Sequence, residues 1–94
     1  MPEMKLKNGA AVRITEYQVS EIDADGEIVD ANCFETLAKA TKYADMLMSR
    51  ECLACVIERR VEYHPGHMFD EPTQHKTLRV FGDSTALAAG NWTA

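Results

Sequence analysis

Residues 32–50, Asn-Cys-Phe-Glu-Thr-Leu-Ala-Lys-Ala-Thr-Lys-Tyr-Ala-Asp-Met-Leu-Met-Ser-Arg, decide the fold. Seven of them recur at three- and four-residue intervals and would share one face of an α-helix: Phe34, Leu37, Ala38, Thr41, Ala44, Leu47 and Met48. Asn32 is a suitable N-cap, and Glu35 three residues later would complete a capping box. The pattern therefore predicts one amphipathic helix, with Cys33 as its first residue.

Segments with two-residue periodicity lie on both sides of this helix. Before it, residues 12–22 read as a strand, Asp23-Ala24-Asp25-Gly26 as a turn, and residues 27–30 as a short return strand. After it, residues 53–63 and 77–82 read as two more strands, with Leu78 and Val80 facing the core. Asp83 is placed to cap a short helical turn over residues 84–89 that Gly90 would end, with Trp92 folding back on Leu87.

The order of elements is ββαββ, which predicts an α+β fold. We expect a two-layer sandwich in which one helix covers one face of a four-stranded antiparallel sheet. The first strand would lie between the second and the third, with the fourth outside the third. Residues 1–10 are expected to form a flexible N-terminal lead-in, and residues 11–94 a single domain.

Composition favours one globular domain. The chain has 94 residues, 46% of them hydrophobic, which is enough for one core between a sheet and a helix. No apolar run approaches the roughly 18–20 residues that span a bilayer, so no membrane association is expected. Three cysteines, an odd number, and a first segment without a secretory pattern favour a cytoplasmic protein.

Negative charge is concentrated in one part of the chain. The net charge is −5, but the interval between Arg13 and Lys39 holds seven acidic residues and no basic one. Six of these form the predicted partner-binding set: Glu16, Glu21, Asp23, Asp25, Glu27 and Asp30. Direct nucleic-acid binding would need a basic stripe, whereas an acidic segment attracts a basic protein surface. The alternative is a solvated hairpin that its charge keeps soluble.

The second face of the predicted sheet offers another hypothesis. It would expose apolar residues among charged ones: Val56, Glu58, Arg60, Arg79 and Phe81. Such a surface could serve as a homodimer interface. Scattered apolar residues on an open sheet are also ordinary, so both interpretations stay open.

Two sets of residues carry metal-ligand chemistry. Cys52-x-x-Cys55 and His64-x-x-His67 have the residue types of a zinc site, but an extended chain would separate Cys55 from His64 by about 30 Å. Cys55 is instead predicted to be buried as a small apolar residue, with Cys52 at the junction of helix and strand. His64, His67 and His75 share one loop and could converge on a metal, although exposed loop histidines are the commoner case.

Other motifs point away from an enzyme. Residues 21–32 resemble a calcium loop, but Asn32 stands where the bidentate glutamate is needed. A thiol at the first position of a helix would have a lowered pKa, yet no base is placed to activate Cys33. We therefore predict no catalytic residue and no cofactor.

One resemblance goes beyond these patterns. Tyr17-x-Val19, Asp23-x-Asp25-Gly26-x-Ile28-Val29-Asp30 and Phe34-x-Thr36-Leu37, followed by an alanine-bearing helix, resemble small phage and prophage proteins with a ββα core. Some of those proteins are anti-CRISPR inhibitors. The resemblance covers residues 12–63 and implies a non-enzymatic protein that blocks a host complex by occupying its surface.

Overall fold

The computed structural model describes residues 3–5, 12–64 and 74–94. They form a short strand β1 (Glu3–Lys5), four longer strands and two helices. The other elements are β2 (Val12–Ile22), β3 (Ile28–Phe34), α1 (Leu37–Ser49), β4 (Ala54–His64), β5 (Gln74–Gly82) and α2 (Ser84–Ala89). The predicted ββαββ order and the small α+β fold are confirmed.

All strand pairs are antiparallel. β2 is central: it pairs with β3 along one edge and with β4 along the other, and β5 lies outside β4. This is the predicted strand order. β1 pairs with the start of β2, in the register Glu3↔Ile14, and so shares an edge of β2 with β3. It lies within the segment predicted as a flexible lead-in; residues 1–2 and 6–11 lie outside the described part.

The helix begins later than the sequence suggested. The N-cap is Thr36, whose side-chain oxygen accepts a hydrogen bond from the Lys39 N–H at 3.2 Å. Asn32 and Cys33 instead belong to β3, paired with Val19 and Gln18 of β2. The predicted capping box is therefore wrong, because the ladder between β2 and β3 continues to Phe34 and holds Asn32 and Cys33 in the strand.

The main core lies between α1 and one face of the sheet. Its fully buried side chains are Val19 of β2, Ala40 and Ala44 of α1, and Cys55 and Ile57 of β4. The helix thus turns two of its three alanines inward, while Ala38, predicted on the buried face, is exposed. Leu37, Leu47 and Met48 pack around this centre as predicted. The predicted burial of Cys55 as a small apolar residue is confirmed.

A second cluster lies on the opposite face. In it, Ile22, Ala54 and Val56 of the sheet pack against the buried residues of α2, Ala86 and Leu87. Val80 and Trp92 pack around this cluster. Asp83 caps α2 through a 2.9 Å bond from the Ala86 N–H, and Gly90 is the C-cap, so this predicted turn is confirmed. The face that the sequence analysis left open is therefore covered at this end.

Two glycines let α2 reach the first hairpin. Gly26 has φ +81, the positive value predicted for the turn, and it is buried against the backbone of Gly90. A Cβ on either residue would overlap the backbone of the other. Trp92 Nε1 donates a hydrogen bond to the Gly26 carbonyl oxygen at 2.9 Å. Turn and C-terminal segment therefore form one packed unit.

Candidate functional site

The acidic turn of the first hairpin is built around Asp23. Its Oδ1 accepts hydrogen bonds from the N–H groups of Asp25 and Glu27, each at 2.9 Å. The Gly26 N–H donates to the Asp23 carbonyl oxygen at 3.0 Å. The Asp23 carboxylate therefore shapes the turn, and it leaves the side chains of Asp25 and Glu27 exposed to solvent. The hairpin that the sequence predicted at this calcium-like motif is confirmed.

Two further acids of the predicted set face each other across the hairpin. Glu21 of β2 pairs with Asp30 of β3, so their side chains lie on the same face, the one that α1 covers. Like charges in directly opposite positions destabilise a sheet by a few tenths of a kcal/mol, up to about 1 kcal/mol. In the described part of the chain, neither Asp30 nor the exposed acids of the turn make an ion pair. The hairpin thus carries uncompensated negative charge.

The negative region continues onto the helix. Burial, and after it the neighbouring Cys52, Asp45 and Glu21, raise the pKa of the Cys55 thiol to about 11. Asp45 is exposed on α1 and, like Glu21 of the hairpin, acts on the Cys55 thiol, so the two acids lie on the same side of the sheet.

Glu16 lies apart from the other acids. It is paired with Arg60 of β4 on the α2 side of the sheet, whereas Glu21 in the same strand faces α1. Gln18 joins this second, polar group: its Oε1 accepts from Arg60 Nη1 at 3.1 Å and from the Cys33 thiol at 3.8 Å. The predicted partner-binding set is therefore divided between two faces. The parity of positions 16 and 21 in one strand was the signal available for this.

Cys33 does not begin a helix, so the prediction of a lowered pKa at a helix terminus is wrong. Although Cys33 is exposed, the pKa of its thiol in β3 is raised, chiefly by the partial loss of hydration beside its neighbours and then by the charge of Glu16, with Arg60 acting in the opposite direction. The thiol donates to the amide oxygen of Gln18, and the side chains of Glu16 and Arg60 also lie within hydrogen-bonding reach of it. Because the pKa is raised on balance, these surroundings keep Cys33 in the thiol form and do not activate it.

The residues predicted to form a dimer face do not share a surface. Val56 is fully buried beneath α2, whereas Phe81 pairs with Cys55 and packs on the α1 side. A β-bulge explains the error: β5 has one extra residue, Leu78, opposite the Ile57–Glu58 step, so Arg79 pairs with Ile57. Glu58 and Arg60 lie on the α2 side and Arg79 is exposed on β5. The predicted placement is wrong.

The histidine hypothesis falls mostly outside the described part. His67 lies in residues 65–73, of which nothing is described, while His64 ends β4 and His75 lies in β5, exposed. Within the ranges that are described, no three histidine, cysteine or acidic side chains come together as metal ligands do. The metal loop therefore stays a prediction.

An apolar groove beside β3 was not predicted. It has a volume of about 420 Å³ and is lined by Phe34 of β3 and four residues of α1: Lys39, Lys42, Tyr43 and Met46. The Phe34 and Tyr43 rings pack at 5.1 Å between centroids, and Asn32 Nδ2 donates to the Tyr43 hydroxyl at 3.1 Å. The lysines contribute their aliphatic stems to the wall. Tyr43 was not counted in the apolar helix face, which hid this groove.

Comparison with known proteins gives no match. No family model matches the chain, and neither the curated proteins nor the solved structures contain a match. Among the described residues, neither helix combines the length and the apolar character that crossing a membrane requires.

Proposed function

We propose that this chain is a non-enzymatic interaction protein whose acidic first hairpin binds a basic surface on another protein. The observation that supports this is the exposure of Asp25, Glu27 and Asp30 without an ion pair among the described residues. A hairpin that only needed solubility could disperse these charges, whereas here like charges oppose each other at Glu21 and Asp30. A cationic partner relieves that repulsion.

The partner class follows from the arrangement of the charges. Carboxylates spaced along a hairpin imitate the phosphates that a nucleic-acid-binding protein normally holds. The resemblance to phage proteins with a ββα core agrees with such a role, and an anti-CRISPR-like inhibitor acting in the cytoplasm of a host cell is the specific form of the proposal. The chain itself would not bind nucleic acid, because its hairpin repels phosphate.

The homodimer alternative has lost its main support. Its predicted face included Val56 and Phe81, and both contribute to the core of the protein instead. The metal-binding alternative in the 64–75 loop keeps only its sequence argument. Neither has an observation in its favour that equals the exposed acids of the hairpin.

Charge reversal tests the proposal. The variant Asp25→Lys, Glu27→Lys, Asp30→Lys leaves Asp23, which shapes the turn, in place. Immobilised wild-type protein should retain a nucleic-acid-binding protein from a bacterial lysate, and added duplex DNA or high salt should release it, because exposed charges are screened within about 8–10 Å at physiological ionic strength. The triple variant should retain none.

The control is Glu35→Lys, an exposed acid outside the predicted partner-binding set, which follows β3 at the end of that strand away from the turn. It should bind as the wild type does. Retention of the same protein by the triple variant, with an unchanged circular dichroism spectrum, would contradict the proposal.

A further inference from the structure

The outer edge of β3 is open along the acidic hairpin. Among the described residues, β3 pairs with β2 alone, and every residue from Ile28 to Cys33 is exposed. Edge strands are usually protected by lysine, proline or a bulge. β5, the opposite edge, has such protection: Lys76 and Arg79 are exposed on it, and Leu78 forms a bulge. On β3 the only irregularity is at its start, between Ile28 and Asp30, so residues 30–34 form a regular, unprotected edge.

The ladder shows which peptide groups of β3 are available. At the turn, the Asp23 N–H donates to the Glu27 carbonyl oxygen, so Asp23 points its peptide groups towards β3. Peptide groups alternate along an antiparallel strand, and Val19 therefore bonds to its partner Asn32. It follows that Ala31 and Cys33 direct their N–H and C=O groups away from β2. These are four polar groups that an added strand could pair.

The groove supplies a side-chain anchor next to this edge. Asp30, Asn32 and Phe34 alternate onto the α1 side, where the groove of about 420 Å³ opens beside Phe34. Lys39 and Lys42 border the groove, while Glu27 and Asp30 lie at the other end of the strand. The edge therefore has an apolar pocket at one end and negative charge at the other.

We infer that β3 takes an extended segment of a partner as an additional antiparallel strand. The segment carries a large apolar side chain opposite Phe34, which fills the groove, and a lysine or arginine opposite Asp30. These two side chains stand four residues apart in the segment, because Phe34 and Asp30 are four apart in β3 and opposite residues share a face. This inference rests on the proposed function and names the binding mode of the same hairpin.

Charge identifies the occupant as a basic partner and argues against a second copy. Two β3 strands paired edge to edge would bring together two hairpins that each carry the acidic interval between Arg13 and Lys39. Asp30 of each would then meet the negative edge of the other, without a cation on either strand. A segment with a lysine or an arginine would instead place a positive charge opposite Asp30.

A peptide probe tests the inference. The acetylated and amidated peptide Thr-Phe-Thr-Val-Thr-Lys-Thr-Lys places phenylalanine and lysine on one face at the required spacing. Binding should slow hydrogen exchange at the Ala31 and Cys33 N–H groups, and titration should shift the amide signals of Phe34 and Tyr43. The matched control peptide moves the first lysine by one position, which turns it to the other face, and it should bind about tenfold more weakly.

Two variants of Ala31 isolate the backbone contribution. Ala31→Pro removes an outward N–H and leaves the β2 ladder intact, so peptide affinity should fall by about tenfold, the equivalent of one lost hydrogen bond. Ala31→Thr keeps the N–H and should bind like the wild type. Equal binding by both, or peptide protection of the β5 amides instead, would overturn the inference.

The two proposals can fail separately. If charge reversal abolishes partner binding while Ala31→Pro has no effect, the acidic hairpin is the binding site but strand addition is wrong. If the protein sediments as a dimer that Ala31→Pro converts to a monomer, a second copy occupies the edge and the inference of a basic partner is overturned.

Discussion

The two faces of the sheet are covered in different ways. On one, the thirteen residues of α1 lie over ordinary buried side chains such as Val19 and Ile57. On the other, the six residues of α2 cover Val56, and the backbones of Gly26 and Gly90 lie so close together that neither position has room for a Cβ. The first face depends on repeated side-chain contacts, which periodicity reveals. The second depends on an absence of side chains at two positions 64 residues apart in the numbering, which no local pattern reveals.

Truncation of two adjacent residues of β4 gives the largest expected effect. Ile57→Ala should reduce the free energy of unfolding by about 2–5 kcal/mol, because it leaves a cavity in the α1 core. Val56→Ala should cost about 1–3 kcal/mol, because Val56 is as deeply buried beneath α2. Denaturant unfolding measures both losses. The control is Arg59→Ala, an exposed position in the same strand, whose free energy of unfolding should stay within about 0.5 kcal/mol of the wild type. A Val56→Ala variant as stable as this control would mean that α2 does not cover the sheet.

Alanine at the two glycines tests the closure of the second face. Gly26→Ala should cost about 2–3 kcal/mol, since alanine at φ +81 is strained by about 1–2 kcal/mol and its Cβ also overlaps Gly90. Gly90 has φ −95, which alanine adopts freely. Any decrease in the free energy of unfolding of Gly90→Ala therefore measures the loss of close packing around Gly90 and no backbone strain. Both variants should shift the fluorescence of Trp92 towards that of an exposed indole. Unchanged emission in both would show that turn and C-terminal segment are not packed together.

High pH should weaken the α1 face through Cys55. The thiol ionises near pH 9.0 in the unfolded chain and near pH 11 in the folded one, because burial disfavours the thiolate. Between these values the unfolded chain has lost a proton that the folded chain keeps, so stability falls by roughly 1.4 kcal/mol for each pH unit and the loss ends near pH 11. Cys55→Ala removes this titration, and the difference in slope between the two proteins measures it. Parallel slopes would contradict the buried position of the thiol.

The features that the sequence predicted correctly depend on local patterns. Asp83 and Gly90 define α2 because a cap and a C-terminal glycine act within one or two turns of the chain. The features that it missed depend on pairing between distant residues. Phe34 suits either a helix face or a strand face, and its partnership with Tyr17 decides for the strand. The bulge at Leu78 reverses the face on which Phe81 lies, and nothing in residues 77–82 reveals it.

The candidate site was predicted in part for the same reason. The acidic interval is visible in the sequence. Two of the six predicted residues nevertheless do not belong to the exposed acidic surface: strand alternation turns Glu16 to the other face, and the Asp23 carboxylate is used in hydrogen bonds within the turn. The groove beside Phe34 needs Tyr43 on the flank of α1 and β3 extended to residue 34. Both follow only once the helix is known to begin after Thr36.

The start of α1 gives the smallest expected effect. Thr36→Ala should cost about 1 kcal/mol, because it removes the oxygen that accepts from the Lys39 N–H and leaves that donor without its cap. Asn32→Ala should cost less, about 0.5 kcal/mol, since it loses only an exposed bond to the Tyr43 hydroxyl. Asn32 also fixes the Tyr43 ring that walls the groove, so Asn32→Ala should weaken binding of the phenylalanine peptide while Thr36→Ala should not. Thermal unfolding of both variants measures the two losses. If Asn32→Ala were the less stable variant, Asn32 would be the helix cap and β3 would end before it, which would remove the strand edge that strand addition requires.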